Sequence, residues 1–308
     1  MHKNRISMTT VKLVQGANAI LGEGPLWCER SASLYWIDIK RTALYRYTPG
    51  HGQTGFWLLP ELAGCVAGVD DGRLLVALKS GLHLFDPAHG TLERLADAAH
   101  ARPSLRYNDG AVDARGRFWV GTMADDGDGP GDLHCFEHAH ASRVAVAGFA
   151  CANGMGWSPD GATMYVTDSG RRTIFAYDFD VAAGELSKAR PFATFGDARG
   201  VPDGLAVDAE GGVWSAIWDG WRLHRYAPDG ALDRVVEMPV QRPTSVAFGG
   251  ADRATLFVTS ASVNVSADGL LRGPLAGSLF ETRPGVAGLE QHCVARAWLG
   301  EAVAAAPR

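Results

Sequence analysis

The segment LYWID at residues 34–38 is a short run of apolar and aromatic residues that ends in an acidic one, and it recurs along the chain. Five further runs resemble it: LLVAL at 74–78, FWVGT at 118–122, MYVTD at 164–168, VWSAI at 213–217 and LFVTS at 256–260. Their first residues are 40, 44, 46, 49 and 43 positions apart. A period in the forties, with several strands in each unit, is typical of the blades of a β-propeller.

The sequence around each run repeats as well. Turn-forming residues precede it, as in VDDGR at 69–73, and an aromatic-containing segment follows it, as in GLHLFDP at 81–87. A fourth, outer strand is predicted after that segment, for instance in GFWLLP at 55–60. Short strands bounded by Gly, Pro, Asp and Asn are typical of all-β folds. We therefore predict an all-β, six-bladed β-propeller with four-stranded antiparallel blades.

One propeller accounts for the whole chain, so residues 1–308 are predicted to form a single domain. A ring leaves an unpaired edge between its first and last blades unless the two chain ends share a blade. The strand-like segment TVKLVQ at 10–15 has no blade of its own. We expect it to provide the outer strand of the last blade, and we expect residues 301–308 to be frayed.

Composition excludes several classes of protein. The 38 glycines and 15 prolines disfavour long helices, and 29 basic against 34 acidic residues give a net charge of -5. With no basic run, nucleic acid is not an expected partner. No apolar stretch is long enough to cross a membrane, and the five scattered cysteines include no C-x-x-C pair. Without a secretory signal at the N-terminus, we expect a cytoplasmic protein, of open oligomeric state.

The first strand of each propeller blade lines the central axis, so residues at its start converge on one face of the ring. Ten to twelve residues before the repeated runs, the equivalent positions are Glu23, Gly64, Asn108, Asn153, Asp203 and Thr244. Two carboxylates and two amide oxygens form a ligand set that suits Ca²⁺, Mg²⁺ or Mn²⁺, with Fe²⁺ and Zn²⁺ as further candidates. The alternative is a set of plain Asn-Gly and Asp-Gly turns. The shared position within the blades favours the metal site.

Other chemistries lack their sequence motifs. The chain has no G-x-S-x-G, no H-E-x-x-H, no P-loop, and no G-x-G-x-x-G after a strand. Trp218 lies near the predicted mouth of the channel. Its indole could stack on the ring of a bound ligand or serve in packing between blades, and both interpretations stay open.

Four segments resemble the regucalcin and gluconolactonase family of six-bladed propellers. They are LGEGPLW from Leu21, RYNDGAVDARGRFWVGTM from Arg106, NGMGWSPDG from Asn153 and VPDGLAVDAEGGVW from Val201. They occur in the family's order and spacing, and the resemblance covers at least residues 21–260. It implies a metal-dependent lactonase that hydrolyses a sugar lactone, such as gluconolactone, xylonolactone or arabinonolactone, to the aldonic acid.

The resemblance also implies roles for individual residues. Glu23, Asn153 and Asp203 correspond to the family's ligands for one divalent metal ion. Arg106 and Asn108 correspond to its substrate-binding pair. Either Asp125 or Asp126 corresponds to an acidic substrate-binding residue, where many members carry Glu. We hypothesise that the metal polarises the lactone carbonyl and that Asp203 accepts a proton from the attacking water.

Two other classes of function remain as alternatives. A calcium-binding regulatory propeller with little turnover would use the same ligands. A protein-binding propeller of the WD-repeat or NHL type would carry its functional residues over the top face. The concentration of polar residues on the predicted axis favours the enzyme.

Overall fold

The structure is a computed structural model that describes residues 10–100, 102–125, 127, 129–196 and 199–299, together with the backbone of residues 5 and 6. The expected fraying of residues 301–308 and the candidate residue Asp126 lie outside the described residues. Among the described residues, no helix is long and apolar enough to cross a membrane.

Strands make up almost all of the regular structure and form six sheets arranged as the blades of a propeller, which confirms the predicted fold class. Two strands lie near the N-terminus: β1 (Arg5–Ile6) and β2 (Lys12–Gln15). The first blade contains β3 (Gly22–Cys28), β4 (Ser33–Asp38), β5 (Ala43–Thr48) and β6 (Gly52–Leu58). The second contains β7 (Ala63–Gly68), β8 (Leu74–Leu78), β9 (Gly81–Asp86) and β10 (Thr91–Asp97). The third contains β11 (Leu105–Val112), β12 (Phe118–Ala124), β13 (Gly131–His138) and β14 (Ala141–Phe149).

The remaining blades follow the same antiparallel plan. The fourth contains β15 (Ala152–Trp157), β16 (Thr163–Asp168), β17 (Thr173–Asp180) and β18 (Glu185–Thr194). The fifth contains β19 (Val201–Val207), β20 (Val213–Trp218), β21 (Arg222–Tyr226) and β22 (Leu232–Glu237). The sixth contains β23 (Pro243–Gly249), β24 (Thr255–Ser260), β25 (Leu279–Thr282) and, as its outer strand, β2. A helix α1 (Ala267–Arg272) lies between β24 and β25, and a 3₁₀ helix spans Arg296–Leu299.

The two N-terminal strands join the ring at different blades. Strand β2 pairs antiparallel with β25, with Leu13 opposite Phe280, so an N-terminal strand completes the sixth blade. Strand β1 pairs parallel with β22 and gives the fifth blade a fifth strand. Because each outer edge is the place where a sheet exposes unpaired backbone groups, these pairings cover edges of the ring.

The apolar core lies between blades. Each of six buried clusters takes its residues from two neighbouring blades, as in the cluster of Trp27, Trp36 and Tyr45 from the first blade with Phe257 from the sixth. Inner strands such as β7 are buried throughout, whereas the outer strand β10 is mostly exposed. Inter-blade burial therefore holds the inner strands in place, and these strands carry the residues on the axis.

Candidate functional site

All six inner strands contain a β-bulge at the axial position. In β19, Pro202 pairs with Ile217 and Leu205 pairs with Ser215, so Asp203 and Gly204 together face a single residue. The same register shift occurs at Asn108, Asn153 and Thr244, at Gly64, and immediately after Glu23. A bulge re-aims the side chain of its extra residue and is common beside active sites.

Contacts across the blades show that the axial residues converge. The amide of Asn153 donates a hydrogen bond to Asp203 Oδ1, and Asn108 Nδ2 donates to the carbonyl of Ala152 at 2.9 Å. The hydroxyl of Thr244 donates to the carbonyl of Gly22 at 2.5 Å, which holds the residue next to Glu23. Residues that are distant in sequence thus meet around the axis, and we call these six axial positions the polar ring.

Gly64 closes this ring on the second blade without a side chain. A Cβ atom at this position would lie 2.3 Å from the carbonyl oxygen of Tyr107. The close approach of β7 and β11 therefore requires glycine here.

Glu23 and Asp203 are two carboxyl groups enclosed in the mouth of the channel. Burial raises the pKa of Glu23 well above its usual value, and the charges of Asp203 and Asp109 raise it further. The Gly24 N–H and the Arg106 guanidinium act in the opposite direction. Burial and Asp109 likewise raise the pKa of Asp203, against the hydrogen bond from Asn153. The positive charge of Arg106 thus does not outweigh burial and the neighbouring carboxylates at Glu23.

Asp109 is a third carboxylate of this group, and the sequence analysis missed it. Burial raises its pKa from 3.8 to about 6, although Gly110 N–H donates to its Oδ1 at 2.8 Å. Its position next to Asn108 in the motif RYNDG was the available signal. In an unbulged strand, Asn108 and Asp109 would point to opposite faces.

The donor set fits a divalent cation. Among the described residues, no three His, Cys, Asp or Glu side chains form a ready-made metal cluster. A cation would therefore need the amide oxygen of Asn153 beside the carboxylates of Glu23 and Asp203, a hard oxygen set. Its charge would offset the repulsion and lost solvation that raise both pKa values.

Arg106 is buried and links two other predicted site residues. Its Nη1 donates to Asn108 Oδ1 at 2.7 Å, and its Nε donates to Asp125 Oδ1 at 2.7 Å. Asp125 lies at the rim, with its side chain 23% exposed. The structure therefore places Arg106, Asn108 and Asp125 in a row from the axis to the rim.

Ser169 and two buried aspartates position the axial residues. The Ser169 hydroxyl accepts a hydrogen bond from Asn153 Nδ2 at 3.2 Å and donates to the carbonyl of Pro202, next to Asp203, at 2.7 Å. Asp168 accepts hydrogen bonds from the backbone of Ala150, Cys151 and Arg171. Asp38 makes the equivalent three bonds in the first blade, to residues 20, 21 and 41. These networks fix the loops that lead to Asn153 and Glu23.

Trp218 is half-buried near the mouth. The Arg242 guanidinium lies 4.4 Å from its ring centroid and is held by Asp219. One face of the indole is thus occupied by a cation, and the ring also packs against a buried apolar cluster of the first two blades. This arrangement is a packing role for Trp218.

A cavity of about 490 Å³ lies along the axis on the other side of the polar ring. It is lined by apolar residues of the inner strands, including Val66, Met155 and Val246, and by the segment 289–292. Gly24 and Asp109 border it from the side of the ring. The polar groups are thus concentrated at one end of the channel.

Comparisons with known proteins identify the family to which the chain is similar. The sequence profile of the family described as SMP-30/Gluconolactonase/LRE-like region matches residues 21–262. The chain is 40% identical to a 6-deoxy-6-sulfogluconolactonase of Pseudomonas putida over 283 residues, which cover 91% of this chain and 96% of the relative. It is 39% identical to an L-arabinolactonase of Azospirillum brasilense over 274 residues, with 87% and 90% covered.

A solved structure is similar over nearly the same extent. The crystal structure of a calcium-binding protein, regucalcin, from Agrobacterium tumefaciens superposes with a TM-score of 0.88 at 29% identity. The match covers 93% of this chain and 97% of that protein.

Proposed function

The chain belongs to the SMP-30/gluconolactonase/LRE-like family, and from this premise we propose that it hydrolyses a sugar lactone to the corresponding aldonic acid. The observation that carries the proposal is the pair of enclosed carboxylates, Glu23 and Asp203, beside Asn153 and next to the row formed by Arg106, Asn108 and Asp125. The substrates named for relatives are sugar lactones of different chain length and substitution.

In this mechanism a divalent metal ion held by Glu23, Asn153 and Asp203 would polarise the lactone carbonyl and lower the pKa of a bound water. Calcium is the first candidate, since the similar regucalcin is described as calcium-binding. Mg²⁺, Mn²⁺, Fe²⁺ and Zn²⁺ are the other candidates.

The protein's own residues supply orientation and proton transfer. Asp203 accepts the proton of the attacking water on a carboxylate oxygen. Arg106 and Asn108 bind the hydroxyl groups of the sugar and orient the ring. Asp125 fixes the Arg106 guanidinium and offers an acceptor at the rim. The five free cysteines fit the reducing cytoplasm, where we place the reaction.

The test is a panel of gluconolactone, xylonolactone, arabinonolactone and galactonolactone, assayed after chelation and after return of single metals. We expect chelation to abolish acid release and at least one metal to restore it. Asp203→Asn should lower kcat by about 100-fold or more, because it removes both a charged ligand and the proton acceptor.

Asp229→Asn is the matched control, since Asp229 lies in the same Pro-Asp-Gly context but caps an exposed turn through Ala231 N–H. Its activity should equal that of the parent protein. Near-parental turnover of Asp203→Asn in metal-replete buffer would exclude the mechanism.

The second candidate function is a calcium-binding regulatory propeller, which the description of the similar regucalcin favours. Isothermal titration with each metal, run beside the lactone panel, separates the two. Tight calcium binding without turnover of any lactone would favour the regulatory protein.

A further inference from the structure

Two lysines stand at the rim beside the row of site residues. Lys40 follows β4 in the first blade, Lys79 follows β8 in the second, and Asp125 follows β12 in the third. Their strands end on the face that carries the axial residues, because Asp38 pairs with Gly22 and Leu78 pairs with Ala63. Three successive blades therefore bring these side chains to one sector of the mouth.

The ammonium groups lie beside Asp125 but do not form hydrogen bonds with it. Lys40 Nζ lies 3.9 Å from Asp125 Oδ1, and Lys79 Nζ lies 3.8 Å from Oδ2. Both distances exceed a hydrogen bond, and the carboxylate already accepts one from Arg106 Nε at 2.7 Å. Among the described residues, neither ammonium takes part in a hydrogen bond. Each therefore keeps its three N–H donors for a ligand.

At the rim, several cations share one partner. Lys40, Lys79 and Arg106 lie within ion-pair distance of the same carboxylate, Asp125, among the described side chains. Glu61, a neighbouring carboxylate, accepts a hydrogen bond from the backbone N–H of Ser80 at 3.0 Å. Lys40 and Lys79 are 41% and 34% exposed, so a substrate can reach them. A neutral sugar needs no such excess of positive charge.

We infer that Lys40 and Lys79 form an anion subsite that selects a sugar lactone with an acidic substituent, a sulfonate or a phosphate, on the carbon farthest from the carbonyl. This inference rests on the proposed lactonase function. A lactone whose carbonyl lies at Glu23, Asn153 and Asp203 and whose ring hydroxyls contact Arg106 would direct its distal carbon toward the rim. The shared chemistry is a tetrahedral oxyanion that accepts hydrogen bonds from ammonium groups.

The experiment compares three lactones that differ only at this carbon: gluconolactone, 6-phosphogluconolactone and 6-deoxy-6-sulfogluconolactone. The parent protein should show a higher kcat/KM for at least one acidic lactone than for gluconolactone, and added salt should reduce only the acidic value. Lys40→Gln combined with Lys79→Gln should lower the ratio of acidic to neutral kcat/KM at least tenfold. Arginine at both positions should restore most of the ratio of acidic to neutral kcat/KM.

The matched control is Lys188→Gln, which removes a lysine paired with Asp178 on the outer face of the fourth blade. It should leave the ratio unchanged. Calorimetric binding of 6-phosphogluconate against gluconate gives a readout independent of turnover, and the glutamine pair should weaken only the former.

The outcomes are distinct. Loss of preference for only the phosphate or only the sulfonate would support the subsite and identify its anion. An equal fall for neutral and acidic lactones would mean that the lysines merely hold Asp125 and Arg106, which overturns the inference. A parent protein that prefers gluconolactone would also overturn it and would leave the lactonase proposal intact. Failure to hydrolyse any lactone with any metal would count against the lactonase proposal itself.

Discussion

At the scale of single residues, the mouth of the channel concentrates negative charge that the protein does not neutralise. Burial raises the pKa of Glu23, Asp109 and Asp203, and the charge of Asp109 raises the pKa values of Glu23 and Asp203 further. The Arg106 guanidinium offsets part of this at Glu23, but it also binds Asn108 and Asp125. Such a group is destabilising when ionised and empty, and it is suited to bind a cation.

Asp109→Asn should stabilise the chelator-treated protein at neutral pH. The pKa of Asp109 is about 6 in the folded protein against 3.8 for the ordinary group, so its contribution to stability is full below pH 4 and is lost as pH rises through 6. The neutral amide of asparagine avoids this loss of stability, which is on the order of 2–3 kcal/mol from the size of the pKa shift. Thermal unfolding should show a higher Tm for the variant at pH 7.5 and a small difference at pH 4.

Asp160→Asn is a control of opposite sign. Hydrogen bonds from Ser158 and the Ala162 N–H lower the pKa of Asp160, so its ionised form stabilises the turn above the ordinary aspartate pKa. Its removal should lower the Tm at pH 7.5. An Asp109→Asn protein with an unchanged or lower Tm at pH 7.5 would contradict the electrostatic account.

At the scale of elements, the blades position their axial residues through structural features that recur from blade to blade. A bulge in every inner strand turns the axial residue toward the channel. In the first and fourth blades, the Asp that ends LYWID and MYVTD binds three backbone N–H groups of the loops around Glu23 and Asn153. The repeated run is thus both a core strand and a support for the site.

Asp168→Ala should destabilise the fourth blade and displace Asn153. Asp168 is fully buried, and its removal leaves the N–H groups of Ala150, Cys151 and Arg171 without their acceptor. We expect a loss of about 3 kcal/mol in the free energy of unfolding, together with weaker metal binding. Urea unfolding and calorimetric metal titration measure the two effects.

Asp180→Ala provides the comparison, because Asp180 also accepts backbone bonds, from Ala182 and Ala183, but lies in an exposed turn. Water replaces its lost bonds, so the loss should stay below about 1 kcal/mol. Equal effects of the two variants would show that burial of Asp168 has no special importance.

At the scale of the whole molecule, the segment 285–299 crosses the face opposite the site and ties five blades together. Its backbone binds the fifth blade at Ala209, the second at Gly68 and the third at Ala139. It also binds Arg253 in the sixth blade and, through the side chain of Gln291, Trp27 in the first. Residues 289–292 line the axial cavity on that face. The segment therefore acts as a strap across the ring.

Trp298→Ala tests the strap without touching the site. Trp298 is 7% exposed and packs in the cluster shared by the second and third blades. Its truncation should lower the free energy of unfolding by about 3 kcal/mol, while kcat/KM of the folded protein stays within about twofold. Leu271→Ala, at a side chain 83% exposed, should change neither quantity. A large loss of activity in folded Trp298→Ala would show that the strap is coupled to the mouth.

The sequence by itself determined the architecture and the axial positions. Runs such as LYWID and MYVTD recur at one place in each blade, because every blade must bury its second strand against its neighbours. That repetition allows the number of blades and the convergence of Glu23, Asn108, Asn153 and Asp203 to be predicted from spacing alone. Spacing predicts only those properties that all blades share.

Tertiary structure decided what differs from blade to blade. The charge of Asp109 acts on Glu23 and Asp203 because β11 is bulged at this position, and the composition of the segment does not predict the bulge. Ser169 reaches Asn153 and the backbone before Asp203 across two blades, and Lys40 and Lys79 meet Asp125 from three different blades. Periodicity identifies equivalent residues, whereas charge interactions depend on distances of a few ångströms between non-equivalent side chains, and only the folded ring sets those distances.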